Sequence, residues 1–261
     1  MTKRSSDNAD AYCPAEIDVA TEFPELYEFY GRHPVSRPDR AEIWERVLRV
    51  ARNSKPVLDD ARARGLNLVR LDQYTPDGID RRPLYEAVIA WLPKIDDPLT
   101  LTICMGRLLE PGARSLVKKN GELLLSLARL WNDRLRGSDN ENTLSPLAQC
   151  VMRAVVERDV PEVLGWVHDS GLSYEARYFY ALDLQRFARK PGIARDALFA
   201  LTQDAVVGSA AVWALSGALK TEVLSVVRRL RDSSPHESVR KAAATATKRL
   251  EARIKAKSRR G

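Results

Sequence analysis

Apolar residues recur at three- and four-residue spacings along most of this chain, and the strict alternation that marks a half-buried strand is nearly absent. The clearest stripe is Val223, Leu224, Val227 and Leu230, which lie on one face of a helix over 220–231. Ala176, Tyr180, Leu184 and Phe187 form a second stripe over 173–189. The same reading predicts helices over 39–53, 56–64, 82–94, 98–109, 112–136 (with a weak point at Gly121), 145–158, 161–169, 192–202, 204–218 and 235–256. Leu66–Leu71 alternates briefly, but it is too short and isolated to found a sheet. Asp97-Pro98, Ser145-Pro146 and Ser234-Pro235 each put a capping side chain before a proline suited to a first helical turn. Gly137 and Gly171 fall where helices are expected to stop.

This pattern divides the chain. Residues 1–22 are expected to lack fixed structure. Residues 23–81 read as an irregular helical region, with a short aromatic-rich helix over Glu22–Tyr30 and a turn-rich connection at 65–81 that contains Pro76, Asp77 and Gly78. Short helices then follow one another closely over 82–256, and 257–261 is a basic tail.

Close succession of short helices suggests repetition. The stretch Asp204–Leu219 aligns with His236–Leu250 at an offset of 32 residues, matching Val207 with Val239, Ala210 and Ala211 with Ala242 and Ala243, and Ala214 with Ala246. Small residues at these places allow helices to approach closely. A fainter copy runs from Glu175 to Leu184, and another from Leu147 to Val156. These segments resemble HEAT repeats of the short, phycobilin-lyase-like type, whose first helix reads Val-Arg-x-Ala-Ala-x-x-Ala-Leu. Val239-Arg240 and Ala242-Ala243 follow that pattern, whereas Thr247 replaces its Leu and Gly208 its Arg. The resemblance implies an all-α fold, a right-handed α-α superhelix (a HEAT-like, armadillo-type solenoid) of about five helix pairs. Such stacks serve as scaffolds, as nucleic-acid binders and, in one branch, as DNA glycosylases, so the fold leaves the activity open.

Charge sharpens the picture. The chain carries a net charge of +7, with 42 Lys and Arg against 35 Asp and Glu. Nine of those cations and only two of the acids, Glu237 and Glu251, fall between His236 and Gly261, leaving the other 235 residues neutral. The C-terminal end is therefore the first candidate for contact with an anion, through Lys248, Arg249, Arg253, Lys255, Lys257, Arg259 and Arg260. A second candidate is a basic stripe on a concave face, carried by Lys118, Lys119, Arg129 and Arg134 on one helix and by Arg228, Arg229 and Arg231 on another. Among the aromatic residues, Trp131 and Trp213 sit at core-like positions, whereas Trp166, Tyr174 and Tyr178 are candidates for stacking or partner contact.

Catalytic and metal chemistry find little support. The three cysteines (Cys13, Cys104, Cys150) and three histidines (His33, His168, His236) are widely dispersed, and no phosphate-loop, dinucleotide or Gly-x-Ser-x-Gly fingerprint is present. No cofactor, metal or catalytic residue is expected. HEAT-like enzymes that excise alkylated bases place a catalytic Asp one turn after a Trp; here Trp131 is followed by Asp133, which misses the spacing, and Trp166 by Asp169, which only approximates it. Met1–Asp10 is polar, and no apolar run is long enough to span a bilayer, from which a cytoplasmic protein without a membrane partner is expected. The sequence thus favours a non-enzymatic scaffold or adaptor binding a protein through its concave face. The alternatives are a DNA- or RNA-binding protein using the basic end and, more weakly, an alkyl-base glycosylase.

Overall fold

The computed structural model describes residues 13–31, 39–73, 78–137 and 144–258. Every regular element among the described residues is helical and none is a strand, in keeping with the all-α expectation. The chain forms two compact units, Met1–Arg107 and Leu108–Gly261.

The first unit contains α1 (Pro14–Glu22), α2 (Pro24–Gly31), α3 (Arg40–Ala63) and α4 (Arg82–Trp91), and closes with α5 (Pro98–Leu108). Helix α1 replaces the structureless lead-in expected as far as residue 22; residues 1–12 lie outside the described residues. The reason is tertiary. Ala15 and Val19 pack with Leu26, Trp44, Leu48 and Ala51 in one cluster, so a short polar segment gains an apolar partner. Glu16, buried on the same helix, accepts two hydrogen bonds from the Arg40 guanidinium of α3, from Nε at 2.8 Å and from NH2 at 2.7 Å. This paired geometry compensates the desolvation of the carboxylate.

Helix α3 is continuous where two helices, 39–53 and 56–64, were expected, and Pro56 lies inside it. A proline in a helix interior costs one hydrogen bond and some strain, roughly 3 kcal/mol. Ser54, Val57, Leu58 and Ala61 are buried around it, and their packing holds the helix together across the fault. Gly65, at φ 97°, ends it. The Leu66 N–H donates to the Ala61 carbonyl at 3.0 Å and the Gly65 N–H to Arg62 at 2.9 Å, the paired bonds of a Schellman cap, which needs a residue without Cβ at this left-handed position. The alternating Leu66–Leu71 stretch then buries Leu66, Leu68 and Leu71 without forming a strand. Arg107 donates to the Leu71 carbonyl and, at 2.7 Å, to that of Gln73. These ties fasten the connection to the first unit, and the division between units falls after Arg107 rather than inside 65–81. Asp97 caps α5 as expected, accepting from the Thr100 N–H and hydroxyl, both at 2.7 Å.

The second unit comprises α6 (Arg114–Lys119), α7 (Gly121–Arg134), α8 (Leu144–Ala154), α9 (Val160–His168), α10 (Tyr174–Asp183), α11 (Ile193–Leu201), α12 (Gly208–Leu219), α13 (Leu224–Ser233) and α14 (Glu237–Ser258). The break expected near Gly121 separates α6 from α7. Ser145 lies inside α8 rather than capping it. Ser173 caps α10, its hydroxyl accepting from the Ala176 N–H at 3.3 Å. Lys220, at φ 52°, ends α12 and turns the chain toward α13, so the apolar stretch Gly208–Ser233 is two helices, half buried within the fold.

Packing in this unit follows two rows. Helices α8, α10, α12 and α14 each pack against the next, while α7 lies on α8, α9 on α10, α11 on α12 and α13 on α14. The aligned small residues sit inside this packing: Ala211, Ala214, Ala243 and Ala246 are all buried, as the alignment requires. Gly208 is a point of close approach between α12 and α14. A Cβ there would stand 2.7 Å from Val239 Cγ2 of α14 and 3.2 Å from the carbonyl oxygens of Leu201 and Thr202.

Cys104 and Cys150 are wholly buried, and burial pushes both thiols up to about 12, whereas Cys13 is only partly covered. Thiolate is the reactive form. Titration of the native protein with a thiol-specific chromophore at neutral pH is therefore expected to release one equivalent quickly. The remaining two should appear only on denaturation, and three fast equivalents in the native state would contradict this packing.

A basic groove edged by aromatic side chains

Helices α10, α12 and α14 place Tyr178, Trp213, Arg249 and Arg253 around an open groove of about 560 Å³, with Gln185, Ser216 and Gly217 on its floor and walls. Gln185 also lines a second groove, of about 360 Å³, formed with Arg114 and Lys118 of α6, Arg153 of α8, Asp183 at the end of α10 and Arg186 just after it. The shared side chain joins the two along one row of helices. Six cations and a single carboxylate, Asp183, line the pair.

Each cation reaches this face by local geometry. Arg153, in the last turn of α8, donates to the carbonyls of Leu108 and Leu109, the latter at 2.5 Å. Arg186, in the 3-10 turn Leu184–Arg186, donates to the Arg153 carbonyl at 3.2 Å and to that of Val155. Carbonyls orient these guanidinium groups without cancelling their charge. Arg249 lies over the Trp213 ring, 4.9 Å from its centroid, a cation–π arrangement that holds both side chains in place. Burial raises the Asp183 carboxyl above its ordinary value, against the opposing pull of Arg186 and Arg153. Burial likewise lowers Arg186, with Asp183 opposing.

None of the six groove cations forms an ion pair among the described residues. On the other row several arginines are matched. Arg129 is bidentate to Glu162 at 2.6 and 2.7 Å, Arg136 meets Asp169 at 2.7 Å, Arg158 pairs with Glu122, Arg228 meets Glu251 at 2.7 Å, and Arg231 is bidentate to Asp232 at 2.7 and 2.9 Å. The Arg231 guanidinium holds the Asp232 carboxyl below its usual range.

The sequence-predicted residues thus scatter. Lys118, Arg249, Arg253 and Tyr178 come together in the groove, Lys118 at one end and the others at the other. Arg129, Arg228 and Arg231 are committed to carboxylates, and Arg134 lies over the Trp131 ring, 5.3 Å from its centroid. Lys119, Arg229, Lys248 and Lys255 are exposed and line neither groove. The side chain of Lys257 and the whole of Arg259 and Arg260 lie outside the described residues. Trp166 is half-buried against Tyr180, at 5.1 Å between ring centroids, and Tyr174 stands exposed beside Tyr178 at 5.7 Å. Trp131 is in the core as expected, but Trp213 is not: it is half-buried, with Arg249 over its ring at the groove wall, because α12 turns that position toward the row rather than into it. Sequence reasoning also missed Arg114, Arg153 and Arg186. No local signal marks them, since each is an isolated cation and only the stacking of helices assembles them.

The Trp–Asp pairs offer no catalytic arrangement. Asp169 is engaged by Arg136 and by the Gly171 N–H at 2.9 Å, while Asp133 is exposed and lies 3.6 Å from Arg136. Among the described residues no three His, Cys, Asp or Glu side chains are grouped closely enough to hold a metal ion.

Fold and groove together define the class: an all-helical protein whose second unit presents a face of six cations and one carboxylate, edged by aromatic rings. No family model matches the chain, and comparisons with curated proteins and with solved structures likewise return no match.

Proposed function

We propose that this chain is a non-enzymatic, HEAT-like binding module, a scaffold or adaptor that works by holding a macromolecular partner on the face formed by α8, α10, α12 and α14. The two-row packing of α7–α14 and the buried alanines at the 32-residue offset support a repeat stack of the right-handed α-α superhelical kind. The observation that carries the reading is the set of unpaired cations in the groove. Six cations gathered against a single carboxylate repel one another, so the arrangement favours a partner that brings negative charge. The sequence alone pointed to a protein partner on a concave face, with Arg129, Arg228 and Arg231 in its basic stripe. The groove instead runs along the row that contains the aligned segments, and its charge favours an anionic ligand.

The test compares the intact protein with the double variant Arg249→Glu/Arg253→Glu as baits in the native host extract, with and without nuclease treatment. Partners captured by the intact protein should be lost on the variant. Identical captures by the two baits would place the working surface elsewhere. Loss of capture on nuclease treatment would mark the partner as nucleic acid or as bound through it.

A further inference from the structure

We propose that the groove is a binding site for single-stranded nucleic acid, with the phosphate backbone on Arg114, Lys118, Arg249 and Arg253 and bases against Tyr178 and Trp213; this rests on the binding-module reading above. Three observations converge on it. First, the unpaired cations extend along the face from α6 to α14, the form a backbone with evenly spaced charges requires, rather than gathering at one point as for a single phosphate. Second, two half-exposed aromatic rings stand among those cations. An acidic peptide uses the charge but leaves the rings idle, and a duplex hides its base faces inside its own stack. A single strand offers both charged backbone and open base faces. Third, Arg249 already lies over Trp213, 4.9 Å from the ring centroid, so its guanidinium is held at the groove wall for a phosphate and binding requires less further ordering. Arg153 and Arg186, held by main-chain carbonyls, keep the middle of the path positive.

The experiment is a fluorescence-anisotropy titration of the intact chain with a labelled single-stranded oligonucleotide of mixed sequence, about 12 nucleotides long, over a series of salt concentrations. Binding is expected at low salt and should weaken steeply as salt rises. Arg249→Glu/Arg253→Glu should lower affinity at least about tenfold and flatten the log–log salt slope by roughly 1.4 units, two lost phosphate contacts on a single strand. The control Lys220→Glu/Arg229→Glu makes the same change in net charge on exposed residues outside the groove and should have a much smaller effect. Trp213→Ala should weaken binding on the order of tenfold and leave the salt slope unchanged, because stacking is not a counterion effect. Circular dichroism of each variant confirms that the helices persist; if Trp213→Ala unfolds, the exposed arginine pair still decides. Equal weakening by the control pair would overturn the inference, as would equal affinity for a duplex or for an abasic strand. Groove-dependent binding of polyglutamate as tight as that of the oligonucleotide would overturn it in favour of an acidic protein partner, with the module reading intact. Failure of every probe to bind at low salt, or binding indifferent to the groove variants, would count against both.

Discussion

Trp131→Ala is expected to lower the unfolding free energy by about 3–5 kcal/mol, the largest effect of any single truncation in the second unit. Trp131 is 1% exposed on α7, the helix that packs on α8, so its removal leaves a cavity that its neighbours cannot fill without moving helices. No hydrogen bond is lost with the indole, for Nε1 is buried without a partner among the described residues, and removing that unsatisfied N–H offsets part of the cavity cost. That separates size from polarity. Trp131→Phe loses only part of the volume and no hydrogen bond, and should cost less than half as much. Urea denaturation followed by circular dichroism measures both. A small effect for Trp131→Ala, or equal losses for the two variants, would show that the α7–α8 contact is not packed as described.

The second large effect is expected at Gly208. A methyl group there must stand 2.7 Å from Val239 Cγ2 and 3.2 Å from two main-chain oxygens, and only the valine end of that conflict can yield. Gly208→Ala should therefore destabilise by roughly 1–3 kcal/mol, although alanine is the better helix former and would stabilise an open position. Val239→Ala alone should cost on the order of 1 kcal/mol by creating a small void. Combining them should cost less than the sum, with a favourable coupling of at least about 0.5 kcal/mol, because each substitution relieves what the other causes. Strict additivity would mean that α12 and α14 do not meet at this point, and the alignment that pairs Val207 with Val239 would lose its structural basis.

Gly208 also shows how far a repeat pattern can be trusted. Its residue departs from the HEAT-like consensus, where an arginine is usual, yet the departure is what lets the Val239 side chain of α14 seat against the start of α12. Ala211, Ala214, Ala243 and Ala246 were legible as small residues at matching places and are buried. Trp213, one position before Ala214, carried the same apolar signal and yet lines the groove, because neighbouring positions on a helix point about 100° apart and periodicity leaves the edge of a stripe ambiguous. Pro56 misled in the other direction. A proline argues locally for a break, but the buried residues around it decide that α3 continues. Helix α1 is a third instance: its formation depends on Trp44 and Arg40, residues a helix away that no window over its own nine residues contains.

For the groove, charge counting located one part only. It identified the C-terminal excess, and Arg249 and Arg253 belong to it. It also flagged Arg129, Arg228 and Arg231, whose charge is matched by Glu162, Glu251 and Asp232. Whether a cation is available to a ligand depends on which carboxylate lies within a few ångströms, and two of these three partners are more than twenty residues away in the chain.

The amino-acid sequence by itself determined that this protein is helical, where most of its helices begin and end, and that small residues recur at a 32-residue offset, because hydrophobic period, prolines and caps act within a turn or two of the chain. Only the tertiary structure decided that α1 forms, that α3 runs through Pro56, and that Arg114, Lys118, Arg153, Arg186, Arg249 and Arg253 line the joined grooves while other arginines are neutralised. The physical reason is range. Backbone preference is set by near neighbours, whereas burial and ion pairing are set by whatever side chains the stacking of helices brings close, and those come from segments far apart in the chain.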